Sequence, residues 1–271
     1  MGLGRVLIVA GSDSGGGAGI QGDIKTVTAL RGYATTAVTA LTAQNTQGVF
    51  GVIEVPPEFV SEQMRVVLSD IGTDCIKTGM LGNAAIINAV AEALEGAENL
   101  PLVVDPVMVA KGGASLLDPQ ASETLKARLL PKAMVLTPNL PEAQCLVGFE
   151  VKSREDMARA AHTLLSMGPK WVLLKGGHLE GPEVGDLLVG QDHDDEIFIA
   201  PRIETTSTHG TGCTLASAIA TGIAQGLGVR DAVVRGRAYL RRAIETAPGL
   251  GHGHGPLGHA HTVRPFGSPS F

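Results

Sequence analysis

The segment THGTGCTLASAIA (208–220) places Gly210 and Gly212 on either side of Thr211, directly before an alanine-rich run. Glycines at alternate positions let the backbone turn tightly and approach another group closely. A helix that begins at their end points free N–H groups at the same place, and such groups bind anions. The segment therefore predicts an anion-binding turn. A simple glycine turn before an ordinary buried helix is the alternative.

Polar side chains follow several short apolar runs elsewhere in the chain. They are Asp105 after LVV, Asn139 and Glu142 after MVLTP, Lys175 after WVLL, and residues 11–13 after VLIVA. If each run is a strand of a parallel sheet, these side chains lie at the carboxyl ends, where open α/β sheets bind ligands. Taken singly, Asp105 would be a turn or cap residue and Lys175 a solvated strand end. Their convergence predicts a binding site.

The glycine-rich segment GSDSGGGAGIQGD (11–23) contains the spacing Gly17-x-Gly19-x-x-Gly22 of dinucleotide-binding folds. That fingerprint also requires an acidic residue about 20 positions later, which binds the ribose. No Asp or Glu occurs between Tyr33 and Phe50, and no Walker A pattern is present. A dehydrogenase is therefore disfavoured, and any nucleotide must be bound by another architecture.

The elements that would position these residues alternate along the chain. Short β-branched runs predict strands, namely RVLIVAG, ATTAVTALTA, DCIKTGML, LVVDPVMV, AMVLTPN, KWVLLKGGH and DLLVG. Alanine-rich segments between them predict helices, for instance over 84–94 and 154–165. Alternating strands and helices give an α/β fold with a mostly parallel sheet covered on both faces. We expect one domain over 1–271, with an irregular Gly/His-rich tail from about residue 249.

Composition narrows the class of ligand. The chain has 271 residues, of which 44% are hydrophobic, so it can bury a substantial core. A formal charge of −6 and an aromatic content of 3% disfavour a nucleic-acid surface, which usually combines clustered Lys/Arg with stacking rings. We therefore expect a small-molecule ligand.

The three cysteines, Cys75, Cys145 and Cys213, are widely spaced and form no C-x-x-C pair, which disfavours a zinc or redox site. The apolar run near the N-terminus is shorter than that of a signal peptide. Val6 stands where myristoylation requires Ser or Thr, and no uncharged apolar stretch reaches transmembrane length. We expect reduced thiols and a cytoplasmic protein.

Eight segments, in this order, resemble the hydroxymethylpyrimidine/phosphomethylpyrimidine kinases of thiamine biosynthesis. They are AGSDSGGGAGIQGD, TALTAQNT, KTGML, DPVMVAKGG, LTPNLPEA, LLKGGH, THGTGCTLASAIA and GHGHGPLGH. The resemblance extends from Val6 to about His261. It implies a ribokinase-like three-layer α/β/α sandwich, related to the pyridoxal kinases. It also implies transfer of the γ-phosphate of ATP, with Mg²⁺, to the hydroxymethyl group of a pyrimidine, and then a second phosphorylation that gives the pyrophosphate.

The resemblance assigns catalysis to the glycine turn. Backbone N–H groups of Gly210, Thr211 and Gly212 would bind the oxygens of the transferring phosphoryl group, helped by the positive end of the helix. Most ribokinase-like enzymes carry an Asp where this chain has Cys213. Because a thiol at a helix N-terminus has a lowered pKa, we expect a Cys213 thiolate to accept the proton of the substrate hydroxyl. A small side chain that merely fits beside the substrate is the alternative.

For the metal and nucleotide, the resemblance implies carboxylates and cationic groups. Magnesium prefers oxygen ligands and keeps several waters. Asp105 and Glu142 would bind it, directly or through water, with Asn139 and Glu142 forming an N-x-x-E motif. The implied nucleotide-binding residues are Lys175, Asn139, Thr208 and Arg237. Arg237 stands where the family often has Lys, which keeps the charge but changes the donor geometry.

For the acceptor, Gln44 is the implied reader of the pyrimidine edge, because its amide presents a donor and an acceptor side by side. Asp23 would hold the hydroxymethyl group or the ring edge. Met80 and Val107 would pack against the ring. The alternatives are a solvated loop position for Gln44 and ordinary core positions for Met80 and Val107.

Three further expectations concern larger parts of the chain. The segment VAKGGASLLD (109–118) would be a flap that closes over the substrates and excludes water, or else a surface loop. The tail histidines are not expected to bind a metal, because the resemblance covers the tail without one; they are His252, His254, His259 and His261. The resemblance suggests a homodimer. A pyridoxal kinase and a non-catalytic pyrimidine-binding protein remain the alternative functions.

Overall fold

The structure, a computed structural model, describes residues 2–108 and 119–263. These residues form a nine-stranded sheet of order β3-β2-β1-β4-β5-β6-β7-β8-β9. The strands are β1 (Arg5–Asp13), β2 (Tyr33–Gln44), β3 (Val49–Glu54), β4 (Cys75–Thr78), β5 (Leu102–Val104), β6 (Val135–Leu136), β7 (Trp171–Leu174), β8 (Glu183–Gly190) and β9 (Glu196–Pro201). Strands β2, β1 and β4 to β7 pair in parallel, whereas β3 and β8 run antiparallel to their neighbours.

Helices cover both faces of the sheet. They are α1 (Gly19–Ala29), α2 (Pro57–Asp70), α3 (Ala84–Ala93), α4 (Pro119–Arg128), α5 (Leu140–Val147), α6 (Arg154–Leu165), α7 (Thr211–Ala224) and α8 (Val229–Glu245). One hydrophobic core packs the sheet against helices α2 to α6, and a second packs it against α1, α7 and α8. This arrangement confirms the predicted three-layer α/β/α sandwich with a mostly parallel sheet.

The central strands are buried on both faces. In β1, Leu7 and Val9 belong to the first core, and Val6 and Ile8 belong to the second. Alternate side chains of a strand point to opposite faces, so a run without polar residues is what a doubly covered parallel strand requires. The sequence pattern of β1 therefore matches its place inside the sheet, between β2 and β4.

The seven predicted strands and the two predicted helices are present, with different ends in places. The run LVVDPVMV supplies only a three-residue strand, because Pro106 lacks the N–H that would continue the ladder. Strands β3 and β9 were not predicted. Both lie at the edges of the sheet. Every residue of β3 is partly or fully exposed, and Gly51 divides its apolar residues into two short pairs.

The C-terminal tail packs beside the carboxyl end of the sheet. The backbone N–H of His254 donates to the carbonyl oxygen of Thr46 (2.8 Å), and the N–H of His209 donates to that of Gly255 (3.1 Å). The tail therefore ties the end of β2 to the segment before α7. Within residues 2–108 and 119–263, no helix is long and apolar enough to cross a membrane.

Candidate active site

The predicted anion-binding turn lies at the N-terminus of α7, over the carboxyl ends of the central strands. Gly210 is the N-cap of this helix and has φ +81°, a left-handed conformation that favours glycine. A Cβ atom at Gly210 would lie 1.9 Å from the carbonyl oxygen of Gly17. Only glycine therefore allows this turn to contact the loop after β1.

The same turn faces two charged side chains that follow β5 and β7, the strands on either side of β6. A Cβ atom at Gly212 would lie 3.2 Å from Nζ of Lys175 and 3.6 Å from Oδ2 of Asp105. Free N–H groups, an ammonium group and a carboxylate are thus brought together at one point. This combination can hold a polyanion and a cation side by side.

Asp105 is buried and only partly hydrogen-bonded. Its Oδ1 accepts from Nζ of Lys175 (3.1 Å) and from Oγ1 of Thr137 (3.2 Å). Its Oδ2 has no hydrogen-bond partner among the described residues. Although burial opposes the charged form, Asp105 and Glu142 raise the pKa of Lys175 above its ordinary value. Lys175 is therefore a fixed positive charge at the turn.

Asn139 and Glu142 form a capping box at the start of α5. Oδ1 of Asn139 accepts from the N–H of Glu142 (2.9 Å), and Oε2 of Glu142 accepts from the N–H of Asn139 (2.8 Å). Burial raises the pKa of Glu142 to about 7, which Lys175 opposes and the nearby Asp105 reinforces. The N-x-x-E motif is thus a helix cap that also places a second carboxyl group beside Asp105 and Lys175.

Cys213 is partly buried in the first turn of α7, beside the loop after β1. The expectation of a lowered pKa is wrong for the chain without ligands, because burial raises the pKa of its thiol to about 12. Lys77 opposes this rise, and the carboxylates of Asp23 and Asp105 add to it. Loss of water around the sulfur therefore outweighs the favourable end of the helix.

Asp23, which was predicted to hold the acceptor, has both of its carboxylate oxygens bonded to other side chains of the protein. It is fully buried in α1, where both oxygens accept from Nζ of Lys77 (3.1 and 2.9 Å) and Oδ1 accepts from Oγ of Ser217 (2.6 Å). The sequence analysis missed Lys77. A lysine inside the apolar run DCIKTGML was the available signal, because a fully buried lysine needs a partner.

Gln44 ends β2 and belongs to a polar chain that leads to β1. Nε2 of Gln44 lies 3.3 Å from Nε2 of His209, which in turn lies 2.8 Å from Oδ2 of Asp13. With its proton on Nε2, His209 donates to this carboxylate, so its contact with Nε2 of Gln44 joins two donors and is not a hydrogen bond. Although burial acts in the opposite direction, His209 and backbone N–H groups lower the pKa of Asp13. Asp13 and His209 were not among the predicted site residues.

Met80 and Val107 follow β4 and β5 at the same edge of the sheet and are both partly exposed. The methyl carbon of Met80 lies 2.5 Å from the position of a Cβ atom at Gly11, so Met80 packs against the carboxyl end of β1. Val107 stands two residues after Asp105. Their positions are compatible with apolar walls of one pocket.

Thr208 and Arg237 lie on opposite sides of this region. The carbonyl oxygen of Thr208 accepts from Oγ1 of Thr211 (3.2 Å), so Thr208 is part of the turn. Arg237, in α8, donates through Nε to Oδ2 of Asp186 (2.8 Å), and Oδ1 of Asp186 accepts the N–H of Gly176 (3.0 Å). Arg237 thereby supports the residue after Lys175.

The flap expected over 109–118 lies outside the described residues. In the tail, His259 is buried beside Tyr239, whose hydroxyl lies 3.2 Å from Nδ1 of His259, and burial lowers the pKa of His259 to about 4. His254 is exposed, with Nδ1 3.3 Å from Oγ1 of Thr208.

Comparison with known proteins identifies the family of the chain. Residues 13–258 match the family model described as phosphomethylpyrimidine kinase. The chain belongs to this family. The match spans the turn before α7, the Asp105 and Lys175 strand ends and Gln44, so it covers the elements that build the site.

Named relatives and solved structures agree with this assignment. The chain is 50% identical over 255 residues to the hydroxymethylpyrimidine/phosphomethylpyrimidine kinase of Streptomyces coelicolor, covering 94% of this chain and 93% of the relative. It is 52% identical over 256 residues to the thiamine biosynthesis bifunctional protein ThiED of Geobacter sulfurreducens; the match covers 94% of this chain but only about half (52%) of that relative. The pyridoxal kinase of Staphylococcus aureus in complex with ADP superposes with a TM-score of 0.89 at 36% identity, covering 97% of this chain and 96% of that one. The expected ribokinase-like relationship to pyridoxal kinases is thus confirmed.

Proposed function

We propose that this protein transfers the γ-phosphate of ATP to the hydroxymethyl group of 4-amino-5-hydroxymethyl-2-methylpyrimidine, and then phosphorylates the monophosphate to the pyrophosphate for thiamine biosynthesis. The observation that carries the proposal is the turn at Gly210 to Gly212, which faces Lys175 and Asp105 at the N-terminus of α7. Phosphoryl transfer needs positioning and charge stabilisation more than covalent chemistry. This geometry offers both.

The phosphates of ATP would lie against the turn and Lys175. Backbone N–H groups of Gly210, Thr211 and Gly212 would bind the oxygens of the transferring group, and the ammonium group of Lys175 would offset their charge. Thr208 and the N-terminus of α5 at Asn139 border the same space. Arg237 would act indirectly, because its hydrogen bond to Asp186 holds the turn after Lys175.

The residues at this edge fit a magnesium ion. The buried Oδ2 atom of Asp105 has no hydrogen-bond donor among the described residues, and a hard cation prefers such an oxygen. Glu142 stands nearby, but its Oε2 already caps α5, so we assign Asp105 as the direct ligand and Glu142 as a partner through water. A bound magnesium ion would neutralise the phosphate oxygens.

The acceptor would lie between Gln44 and Cys213. The Gln44 amide would pair with a ring nitrogen and the neighbouring amino group, and Met80 and Val107 would pack against the ring. Asp13 and His209 hold the loop next to Gln44, since Asp13 accepts N–H bonds from Gly17 (3.1 Å) and Ala18 (2.8 Å). Cys213 would accept the proton of the hydroxymethyl group as the phosphoryl group transfers.

Pyridoxal is a second candidate acceptor. The structural similarity to a pyridoxal kinase covers nearly the whole chain. A pyridine ring with a hydroxymethyl group has a similar size to the pyrimidine. It lacks the amino group beside a ring nitrogen, so Gln44 would discriminate against it.

We infer that two copies of the chain associate through β3. This edge strand and the end of β2 expose Leu41, Phe50, Val52 and Ile53, of which Phe50 and Ile53 are each 71% exposed. Consecutive side chains of a strand point to opposite faces, so these residues leave apolar surface on both sides of the exposed edge. An exposed apolar edge strand of this kind favours pairing with a second copy. Ile53→Lys should therefore give a monomer by light scattering, whereas the native chain should give a dimer; a native monomer would overturn this inference.

One assay separates these functions. The protein is incubated with ATP, Mg²⁺ and either the hydroxymethylpyrimidine or pyridoxal, and the products are resolved by mass. We expect mono- and diphosphorylated pyrimidine, with little pyridoxal phosphate. Asp105→Asn is the matched control, which should bind the pyrimidine but lose turnover. Pyridoxal phosphate as the main product would favour the second candidate, and binding without any product would indicate a non-catalytic protein.

A further inference from the structure

Two opposite charges are buried beneath the anion-binding turn, and neither takes part in the proposed contacts with the substrates. Lys77 in β4 and Asp23 in α1 are both fully buried, and Nζ of Lys77 lies 2.9 Å from Oδ2 of Asp23. Removing two charges from water costs several kcal/mol each, and a well-packed apolar pair often stabilises a fold as well or better. The pair therefore points to a role other than stabilising the fold.

The pair lies on the same side of α7 as Cys213. Ser217, which donates to Asp23 through Oγ (2.6 Å), stands four residues after Cys213, so the two side chains project from one face of the helix on successive turns. Nζ of Lys77 also lies 2.9 Å from the position of a Cβ atom at Gly79, two residues closer to the carboxyl end of the strand. The Lys77 side chain therefore runs toward the site, and Gly79 leaves room for its ammonium group.

The charge of Lys77 is firmly held. Burial alone would lower the pKa of its ammonium group, but the carboxylate of Asp23, together with Cys213 and Asp105, raises it above its ordinary value. Burial raises the pKa of Asp23 above its ordinary value, although the charge of Lys77 and hydrogen bonds from Ser217 and Lys77 favour its carboxylate. Lys77 is thus a permanent positive charge inside the second core.

Four charged groups face Cys213 from the elements around it. Lys77 from β4 and Lys175 after β7 favour a negative sulfur, whereas Asp23 from α1 and Asp105 after β5 oppose it. Of the charged neighbours that act on the thiol, Lys77 has the largest effect. Lys175 is already paired with Asp105 and faces the phosphate turn, so it is not free to serve the sulfur alone.

We propose that Lys77 is a positioning residue that stabilises negative charge on Sγ of Cys213, and that Asp23 and Ser217 hold its ammonium group in place. The proposal rests on the proposed function, in which Cys213 accepts the proton of the substrate hydroxyl. The benefit of Lys77 would then appear at the moment when the sulfur is charged. This role of Lys77 also explains why Asp23, an expected substrate contact, is instead part of a buried ion pair.

The test measures the rate at which the sulfur of Cys213 is alkylated. This measurement does not require turnover. Iodoacetamide alkylation of Cys213 is measured against pH by peptide mass spectrometry in the native chain, in Lys77→Met and in Lys77→Met/Asp23→Asn. Only the thiolate reacts, so the rate at fixed pH reports how readily the thiol ionises. The exposed Cys145 is an internal reference in every sample. Lys152→Met removes one charge at the surface and serves as the matched control.

We expect Lys77→Met to alkylate Cys213 about tenfold more slowly at pH 8.5, which corresponds to one pH unit in the ionisation of the thiol. The double variant leaves no buried charge unpaired, and we expect it to be about threefold slower than the native chain, because Lys77 acts on the thiol more strongly than Asp23. Cys145 should react at one rate throughout, and Lys152→Met should match the native chain.

The double variant is decisive because it removes both charges at nearly constant volume. A native rate for Cys213 in this variant overturns the proposal, whatever the single variant does. Turnover supplies a separate readout: kcat should fall and its pH profile move to higher pH, with the KM for ATP unchanged. If no phosphorylated product forms even with the native chain, the proposed function fails, but the alkylation result still decides the role of Lys77.

Discussion

Gly210 and Gly17 are in backbone contact across the site: a Cβ atom at Gly210 would lie 1.9 Å from the carbonyl oxygen of Gly17. The contact joins the two glycine-rich segments of the chain, one after β1 and one before α7. It brings the loop that is hydrogen-bonded to the Asp13 carboxylate against the turn that would bind phosphate. Geometry of this kind needs glycine for two reasons, the close approach and the positive φ.

This contact predicts the result of Gly210→Ala. The methyl group can be accommodated only if the turn moves, and a displacement of about 1 Å at a catalytic turn can cost 10²-fold in rate. We expect kcat/KM for ATP to fall at least about 10²-fold. The matched control is Gly226→Ala, a glycine with φ +90° and no atom within 4 Å of its Cβ position. It should lose about 1 kcal/mol of stability and keep its activity. Equal activity in the two variants would contradict the phosphate role of the turn.

The parts of the fold that could be predicted from sequence are those governed by local pattern. Apolar runs marked seven strands, and the polar residues after them marked the carboxyl edge of the sheet, where Asp105 and Lys175 meet. Edge strand β3 was not predicted, because Gly51 divides its apolar residues into two pairs that are each too short to indicate a strand. The N-x-x-E motif was noticed for its carboxylate, while its capping role depends on where α5 begins.

A second prediction concerns the acceptor. Gln44→Ala removes the proposed pair with the amino-pyrimidine edge and should cost about 1 to 3 kcal/mol, the usual loss for a buried hydrogen-bonded group. We expect the KM of the pyrimidine to rise about 5- to 150-fold while the KM of ATP changes little. Gln47→Ala, at an exposed position three residues later, is the control. An unchanged pyrimidine KM would remove Gln44 from the site.

A third prediction concerns Glu142 and pH in the absence of magnesium. Burial raises its pKa from 4.5 to about 7, so the folded chain holds a proton on this carboxyl that the unfolded chain has released between these values. The folded chain therefore loses stability as the pH rises through this window, by at most about 3 kcal/mol.

Glu142→Gln keeps an oxygen for the helix cap and removes this loss. Without magnesium, we expect its Tm to exceed that of the native chain at pH 8 and to match it at pH 4.5. Added magnesium should raise the Tm of the native chain more than that of the variant, and the variant should need more magnesium for activity. Glu92→Gln at an exposed position should show none of these effects. Native magnesium dependence in Glu142→Gln would contradict the assignment.

The features that sequence could not reveal depend on contacts between distant segments. Asp23 looked like a substrate contact because of its motif, but only the packing of α1 against β4 shows that Lys77 occupies its oxygens. His209 and Asp13 are 196 positions apart and meet only because the turn before α7 lies on the loop after β1. The place of Cys213 at a helix N-terminus predicts a lowered pKa for its thiol, whereas burial of the thiol raises this pKa.

A fourth prediction concerns Cys213. With the pKa of its thiol raised to about 12, only a small fraction is ionised near neutrality, so a reaction that uses the thiolate should accelerate as the pH rises. Above the range in which Glu142 titrates, we expect kcat of the native chain to increase up to about tenfold per pH unit. ATP affinity should change little, since backbone N–H groups do not titrate.

Variants at Cys213 test whether that acceleration belongs to the sulfur. Cys213→Ser should lose about 10² to 10⁴ in kcat, the usual range for general base catalysis, and its rate should no longer rise with pH. Cys213→Asp should recover part of the activity, because a carboxylate is ionised at neutral pH and stands where most ribokinase-like enzymes carry Asp. ATP should bind all three forms alike, because the turn from Gly210 is unchanged. The comparison requires that the chemical step limits turnover. If Cys213→Ser then runs within about threefold of the native chain, the thiolate is not the base, and the N-terminus of α7 catalyses the transfer through charge stabilisation alone.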